Sequence, residues 1–475
     1  METTNTNFKP SLGLWDATMI VAGSMIGSGI FIVSADMLKD VGGAGWLIFA
    51  WVLTGLMTLT AALSYGELSA MFPKAGGQYV YLKEAYNPLI GFLYGWSFFA
   101  VIQTGTIAAV GVAFSKFAAY LIPSLSEKNI IADLGFIRIS AAQITSIILI
   151  IFLSYTNTRG VKEGKWIQNI FTSAKLLSLF GLIIAGFVAF KAEVWNLNWT
   201  NAWTMMQHSS RTANAAAPDI WAQVAGLAVL GAIASAMVGS IFSSDAWNNI
   251  TFIAGEVKNP RKNIGMSLML GTLIVTIIYV SANLMYLSVL STSDIAFAPE
   301  GRVAVAASKV IFGDVGTIII ALMIMVSTFG CNNGLILAGA RVYYTMAKDG
   351  LFFKSVGRLN SHSVPSYALW IQCLVASLLC LSGKYGDLLD YVSFVVMLFY
   401  ILTIAGIFIL RKKRPDAERP YKAIGYPVLP ALYILLAATF CLALIIYKPV
   451  YTWPGLLIVL MGIPLYYATL KSAKR

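Results

Sequence analysis

The chain has 475 residues, of which 58% are hydrophobic and only 11% charged, with a mean hydropathy of +0.76. Soluble domains carry roughly 25% charged residues, so this composition excludes a water-soluble fold and points to a chain that lives in lipid. The net charge of +12 is spread over short segments between apolar runs and does not gather on one face, which argues against nucleic acid as a partner.

A hydrocarbon core about 30 Å thick asks for about 20 apolar residues per helical crossing. The hydropathy pattern predicts about twelve such spans, at residues 14–33, 45–70, 88–122, 138–156, 166–190, 221–253, 265–291, 315–347, 365–382, 387–410, 427–447 and 451–471. Residues 1–13 are polar and no small-residue cleavage site follows the first run, so the first span is expected to remain in the mature protein. The run at 88–122 is long enough to tilt or to project beyond the bilayer. With the N-terminus inside, 22 of the 33 lysines and arginines fall in cytoplasmic segments and ten outside, leaving Lys175 alone within a span. Positive charge retained on the cytoplasmic side and an even number of spans agree on both termini being cytoplasmic.

The first span carries GSMIGSGIF at residues 23–31, and each glycine in a helix costs about 1 kcal/mol relative to alanine. Within a bilayer, unwound backbone is tolerated only where it lines a cavity or is buried in protein. Unwinding around Gly27, Ser28 and Gly29 frees amides at the start of a second half-helix, whose positive dipole end suits a carboxylate. The other reading makes Gly23 and Gly27 a small-residue face for close helix packing. A second weak point, IFSSDAWNN at residues 241–249, interrupts the sixth span. Two interrupted spans five helices apart form the pattern of an inverted-repeat transporter with its site at the repeat interface.

Lys175 lies nine residues beyond Trp166, roughly 14 Å into the fifth span at 1.5 Å per residue. A charge at that depth costs at least about 2.5–3.5 kcal/mol and usually marks function; the alternative is snorkelling to the surface. Asp245, at the second break, either senses a polar or cationic group of the substrate or caps a half-helix beginning at Trp247. Ser243 and Ser244 leave room for a small substrate. Glu67 is expected to cap or pair near the cytoplasmic side.

Conventional catalytic equipment is lacking. Cys331, Cys373, Cys380 and Cys441 fall within or beside spans without a C-x-x-C pair and read as apolar filler. His208 and His362 lie in expected loops, and no H-E-x-x-H, G-x-S-x-G or P-loop occurs. The sequence therefore predicts no enzyme, no cofactor and no metal. Asn198-Trp199-Thr200 is a glycosylation sequon in an expected outer loop, but Asn249-Ile250-Thr251 repeats the pattern inside a span, so neither carries weight.

Four further stretches bear a resemblance: SYGELSAMFPKAGGQYVYLKEAYNPLIGFLYGW (64–96), FTSAKLLSLFGLI (171–183), AGEVKNPRKNI (254–264) and LRKKRPDAERPYKAIGYPVLP (410–430). Together and in this order they resemble the L-type amino acid transporter family of the amino acid, polyamine and organocation superfamily. The resemblance implies an all-α LeuT-type fold in a single membrane domain over 1–475, with an inverted pair of five-helix repeats at 14–190 and 221–410 and two extra helices at 427–471. It implies an amino acid permease working by alternating access without ATP, most simply as an antiporter of small neutral amino acids. The amides near Ser28 and Gly29 would then take the substrate carboxylate, and carbonyls around Met25, Ile26 and Phe242 its ammonium, with Phe242 as a gating aromatic over Gly27, Ser243, Ser244 and Asp245. Lys175 would stand where sodium-coupled relatives hold a cation, reaching carbonyls at 23–27 and hydroxyls such as Ser327 or Thr328, which implies sodium independence. Vertebrate members often carry glycine where Asp245 falls, so substrate choice does not transfer. The heavier eukaryotic members join a glycoprotein through a cysteine after the third span. Residues 122–140 contain none, so no disulfide-linked heavy chain is expected, only amino acids and the bilayer. A proton-coupled symporter, and a channel or nutrient receptor, are the alternatives.

Overall fold

The computed structural model describes residues 12–73, 76–133, 138–159, 164–211, 220–362, 364–382 and 385–473. The first span is broken: α1 (Leu14–Met25) and α2 (Ser34–Val41) are separated by residues 26–33, in which Gly29–Phe31 make one 3-10 turn. There follow α3 (Ala44–Met71) and a short α4 (Gln78–Ala85). The third span joins α5 (Pro88–Ser97) to α6 (Gln103–Leu121) through a π turn at Phe98–Ile102. Its start is set locally, since Asn87 Oδ1 accepts the Ile90 amide at 3.0 Å and Pro88 occupies the first turn, where a missing N–H costs nothing.

The small strands β1 (Ile130–Asp133) and β2 (Arg138–Ser140) pair antiparallel before α7 (Ala141–Thr158). That helix begins three residues later than expected because Ser140 and Gln143 form a capping box. Next come α8 (Gly164–Val188) and α9 (Ala192–Thr200). A second hairpin, β3 (Met206–His208) with β4 (Trp221–Gln223), precedes α10 (Ala228–Ser243). The expected sixth span, 221–253, is therefore shorter at its start: Trp221 is strand, and its ring and that of Phe297 enclose the buried His208 at 5.1 and 5.0 Å.

Beyond the second break lie α11 (Asn249–Phe252) and α12 (Pro260–Val289), then α13 (Thr292–Ala296) and α14 (Val303–Lys348). Gly313 bends α14 at φ 72 and ψ −163, a conformation open to glycine alone, so the expected span at 315–347 is its straight portion. The chain ends with α15 (Ser366–Ser382), α16 (Tyr385–Lys413), α17 (Val428–Tyr447) and α18 (Pro449–Ala473).

Among the described residues, nine helices are long and apolar enough to cross a bilayer, and α10 and α15 are shorter apolar helices. With the interrupted first span these account for the twelve expected crossings. Two packed groups result. α1, α3, α10 and α12 pack together, as do α6, α7, α14 and α15, with α8 resting on α12 and α14. Both breaks sit at the seam between the groups.

Two sequence expectations change character in three dimensions. Asn198 is buried in α9, donates to the carbonyls of Leu287 and Leu290 at 2.9 Å and accepts the Thr292 amide. Its sequon is a staple holding α9 to the end of α12. Glu67 pairs as expected: its carboxylate, 1% exposed, accepts Arg411 at 3.0 and 2.6 Å and the Ala423 amide at 2.8 Å, and forms an ion pair with Arg419 Nε at 3.3 Å. The α16–α17 connection is thus clamped onto α3. Removing one partner of a buried charge cluster costs about 3–5 kcal/mol, so Glu67→Gln is expected to lower the melting temperature of the detergent-purified protein by several degrees. An unchanged melting curve would remove the clamp from this account.

Candidate functional site

The helical ladder of α1 ends where the Ile26 amide donates to the Ala22 carbonyl at 3.0 Å, and hydrogen bonding resumes only at Phe31, whose amide donates to Ser28. Between them, the amides of Gly27, Ser28, Gly29 and Ile30 have no acceptor among the described residues. Four successive N–H groups are left to converge on one place. In a buried setting such donors demand a partner.

The carbonyls of the same stretch behave differently. Those of Met25, Ile26 and Phe242, expected to be free, are engaged: Tyr279 OH donates to Met25 at 2.9 Å, Lys175 Nζ to Ile26 at 2.9 Å, and the Asp245 amide to Phe242 at 3.2 Å. Unwinding freed the first two, and buried donors from neighbouring helices filled them, because an unmet carbonyl in a dry interior costs free energy; Phe242 is met by its own chain three residues on. The carbonyls of Gly27, Ser244 and Asp245 accept nothing among the described residues, as is true of Phe31 and Trp247 further along the two breaks.

Lys175 is 1% exposed and does not snorkel. Its ammonium bonds the Gly23 and Ile26 carbonyls. Neither expected hydroxyl joins it: Thr328 donates to the Ile324 carbonyl at 2.9 Å within its own helix, and buried Ser327 has no partner. The positive charge therefore rests on the backbone of α1 alone.

Close approach explains the glycines. A Cβ on Gly29 would lie 1.9 Å from Ser243 Oγ and 3.1 Å from the Ser243 Cα, so the two breaks touch backbone to backbone only because residue 29 has no side chain. Gly23 faces Thr172 at 3.0 Å and Gly27 faces Cys331 Sγ at 3.2 Å; the packing reading and the unwinding reading both describe this stretch.

In the second span, α10 stops at Ser243, and Ala246 takes φ 63, a left-handed conformation costing an L-residue roughly 1–2 kcal/mol. The next half-helix starts at Asn249, not Trp247, and Asn248 is its N-cap without a side-chain bond. Asp245 is therefore not its cap. Instead its carboxylate accepts Tyr400 OH at 2.5 Å. Asp245 borders three adjoining cavities. One holds Ser28, Gly29, Phe242 and Cys331, a second Gln78, Gln103, Asn248 and Tyr400, and a third Thr54, Ser244 and Tyr433. Each is about 20 Å³, enough for about one water and far short of an amino acid, so this is a closed conformation.

Three tyrosines escaped the sequence reading. Tyr279 on α12 lies 2.9 Å from the carbonyls of both Met25 and Ser243, joining the two breaks. Tyr400 holds Asp245, and Tyr385 OH lies 3.1 Å from Ser28 Oγ. With 22 tyrosines in the chain, nothing in a single sequence separates these from interfacial or packing rings. Away from the breaks, Leu12 pairs with Val257, its amide donating to Glu256 at 3.0 Å and its carbonyl accepting Lys258 at 2.8 Å. The outer ends of the two broken spans are thus tied as well.

A helical bundle in which two interrupted crossings bring bare peptide groups together at mid-depth defines a membrane carrier. The family model for amino acid permeases matches residues 12–467, and the chain belongs to that family of permeases, not to the enzymes. It is 32% identical over 465 residues to a rabbit (Oryctolagus cuniculus) protein named large neutral amino acids transporter small subunit 2, covering 97% of this chain and 80% of that one. The serine/threonine exchanger SteT of Bacillus subtilis is 29% identical over 474 residues, 99% of each chain. The human b(0,+)-type amino acid transporter 1 is 29% identical over 476 residues, covering 98% and 89%.

The contact at residue 29 is the most demanding in the site. Gly29→Ala is expected to abolish uptake of labelled amino acid by proteoliposomes, because both breaks must part to admit the methyl group. Gly27→Ala, meeting only a sulfur at 3.2 Å, retains a measurable rate. Equal activity in both variants would show that the breaks do not touch as described. Ala246→Gly, relieving the left-handed strain, is expected to raise stability by about 1 kcal/mol in a thermal unfolding assay.

Proposed function

We propose that this protein is a sodium-independent exchanger of small neutral L-amino acids in the cell membrane, with both termini cytoplasmic. It works by alternating access between inverted repeats at 14–190 and 221–410, with residues 427–471 as two additional helices. The observation that carries this reading is the row of open amides at Gly27, Ser28, Gly29 and Ile30. A carboxylate placed there accepts several N–H bonds at once, each stronger than a neutral pair. The substrate ammonium then meets the open carbonyls of Gly27, Ser244 and Asp245. Phe242, 8% exposed at the wall of the same cavity, covers the ligand and excludes water, which strengthens the polar contacts beneath it. Met25 and Ile26 contribute backbone turned toward Tyr279 and Lys175, and so shape the cradle without binding the ligand.

Lys175 sets its ammonium against the carbonyls of the first break. Where a carrier of this fold would otherwise require a bound metal cation, the ammonium fills that place, and transport proceeds without sodium. Ser243 and Ser244 keep the pocket small, in keeping with a relative named as a serine/threonine exchanger. Two relatives bear names of small subunits or transporters far from bacteria. Residues 122–140 here contain no cysteine and all four cysteines are buried and unpaired, so a disulfide-linked partner is not part of this proposal.

One observation favours a second reading. Asp245 is a buried-site carboxylate bordering three cavities, placed where it can take up a proton or bind a polar substrate group, which would suit a proton-coupled symporter. Reconstituted protein distinguishes the two. Exchange requires internal amino acid and is indifferent to sodium and to an acidic exterior; uptake into empty vesicles driven by external acid would establish the symporter. A saturable binding signal without counterflow would indicate a receptor instead. Lys175→Ala removes two charge-assisted bonds worth about 1.5–3 kcal/mol each, so its exchange rate is expected to fall at least ~10-fold. Normal sodium-independent uptake by that variant would refute the role given to the ammonium.

A further inference from the structure

Two cavities lie on opposite sides of a pair of aromatic rings. The inner one is the cavity at the breaks, walled by Ser28, Gly29, Phe242 and Cys331. The other lies toward α2, walled by Asp36, Asp40, Ser235, Tyr385 and Asp390. Phe242 belongs to the first wall and Tyr385 to the second, and their rings meet edge to face at 6.1 Å and 83°, a favourable aromatic geometry. Tyr385 is 2% exposed. Its hydroxyl lies 3.1 Å from Ser28 Oγ, and the Lys116 ammonium lies 5.6 Å from its ring centroid.

We infer that Tyr385 is the second leaf of the outer gate and that its hydroxyl reports the occupancy of the carboxylate cradle through Ser28. This inference rests on the transport reading given above. The rings come from different helices, Phe242 from α10 and Tyr385 from the first turn of α16, so opening a path from the α2 side requires those helices to part. Ser28 stands at the junction: its amide is one of the four open donors, and its hydroxyl touches the gate. A hydroxyl holds one proton. With the cradle occupied, Ser28 donates to the carboxylate while its lone pair accepts from Tyr385, and a one-way chain of hydrogen bonds runs from ring to ligand. Such chains strengthen cooperatively. A bound substrate thus tightens the closed gate, whereas an empty cradle leaves it held only by ring contact and one neutral bond. Coupling of that kind is what makes a carrier exchange rather than leak. Tyr385 acts here as a positioning residue.

Cys331 provides a native reporter, because it walls the inner cavity whereas Cys373, Cys380 and Cys441 are buried elsewhere. Intact cells expressing the full chain are treated with a membrane-impermeant thiol reagent, and labelled peptides are identified by mass spectrometry. In the wild type Cys331 is expected to react slowly, only while the carrier is open outward. In Tyr385→Ala it is expected to react several-fold faster while Cys373, Cys380 and Cys441 remain silent, and preloaded amino acid is expected to leave cells without external amino acid. Tyr385→Phe restores the ring: Cys331 is expected to be protected again, with the external KM raised about 2–10-fold for one lost hydrogen bond and maximal exchange little changed. A Tyr385→Ala protein whose Cys331 reacts no faster than in the wild type, or whose four cysteines all react together, overturns the gate assignment. An unchanged KM in Tyr385→Phe overturns the coupling through Ser28. The labelling result reads the gate even if the wild type carries no amino acid, so failure of the transport reading is distinguishable from failure of this one.

Discussion

A peptide group inside a bilayer has no water to fall back on, and every N–H and C=O must be met by protein or by a ligand. Everything notable about this structure follows from breaking two helices under that constraint. Carbonyls released by the first break are taken by a buried ammonium and a buried phenol, Lys175 and Tyr279. The amides released with them are taken by nothing among the described residues. The asymmetry is chemical: the Met25 and Ile26 carbonyls have been supplied with donors from neighbouring helices, while the four amides, with the Gly27 carbonyl, have been kept for something that arrives from outside.

The two breaks behave as one object. Gly29 lets the backbone of the first rest against Ser243 of the second, Tyr279 reaches a carbonyl of each, and the pairing of Leu12 with Val257 repeats the tie further along. Movement of one broken span relative to the rest of the bundle therefore takes the other with it. Across the seam, contacts of a different kind hold the closed conformation: the ion pairs Arg341–Glu256 at 2.9 Å and Lys83–Asp349 at 2.6 Å join α14 to the segment after α11 and to α4. Exposed or half-exposed pairs of this type contribute little stability each, which suits contacts that have to break and re-form in every transport cycle.

Much of this was legible in the residues. Span number followed from apolar length, and both breaks from glycine, serine and aspartate in positions where lipid tolerates none of them without a reason. Lys175 announced itself by depth. What stayed hidden depended on partners far away in sequence. Which carbonyls would be free at residues 25 and 26 was decided by Tyr279 and by the side-chain reach of Lys175, and neither is visible from the broken stretch itself. Local boundaries also shifted for local reasons: Gly313 bent what looked like one span, Ser140 with Gln143 reset the start of α7, and the left-handed turn at Ala246 delayed the half-helix expected at Trp247. The inverted symmetry of the two halves, expected from spacing and resemblance, leaves no trace in residue identities.

The central claim is that bare backbone amides, and no charged side chain, hold the carboxylate of the substrate. Its most direct test is an experimental structure with a bound amino acid at a resolution that orients the ligand. The account requires the two carboxylate oxygens within about 3 Å of amides in the stretch from Gly27 to Ile30, with Lys175 still seated on the carbonyls of α1. A carboxylate paired with the Lys175 ammonium, or a first span continuous and hydrogen-bonded through residue 30, would contradict it.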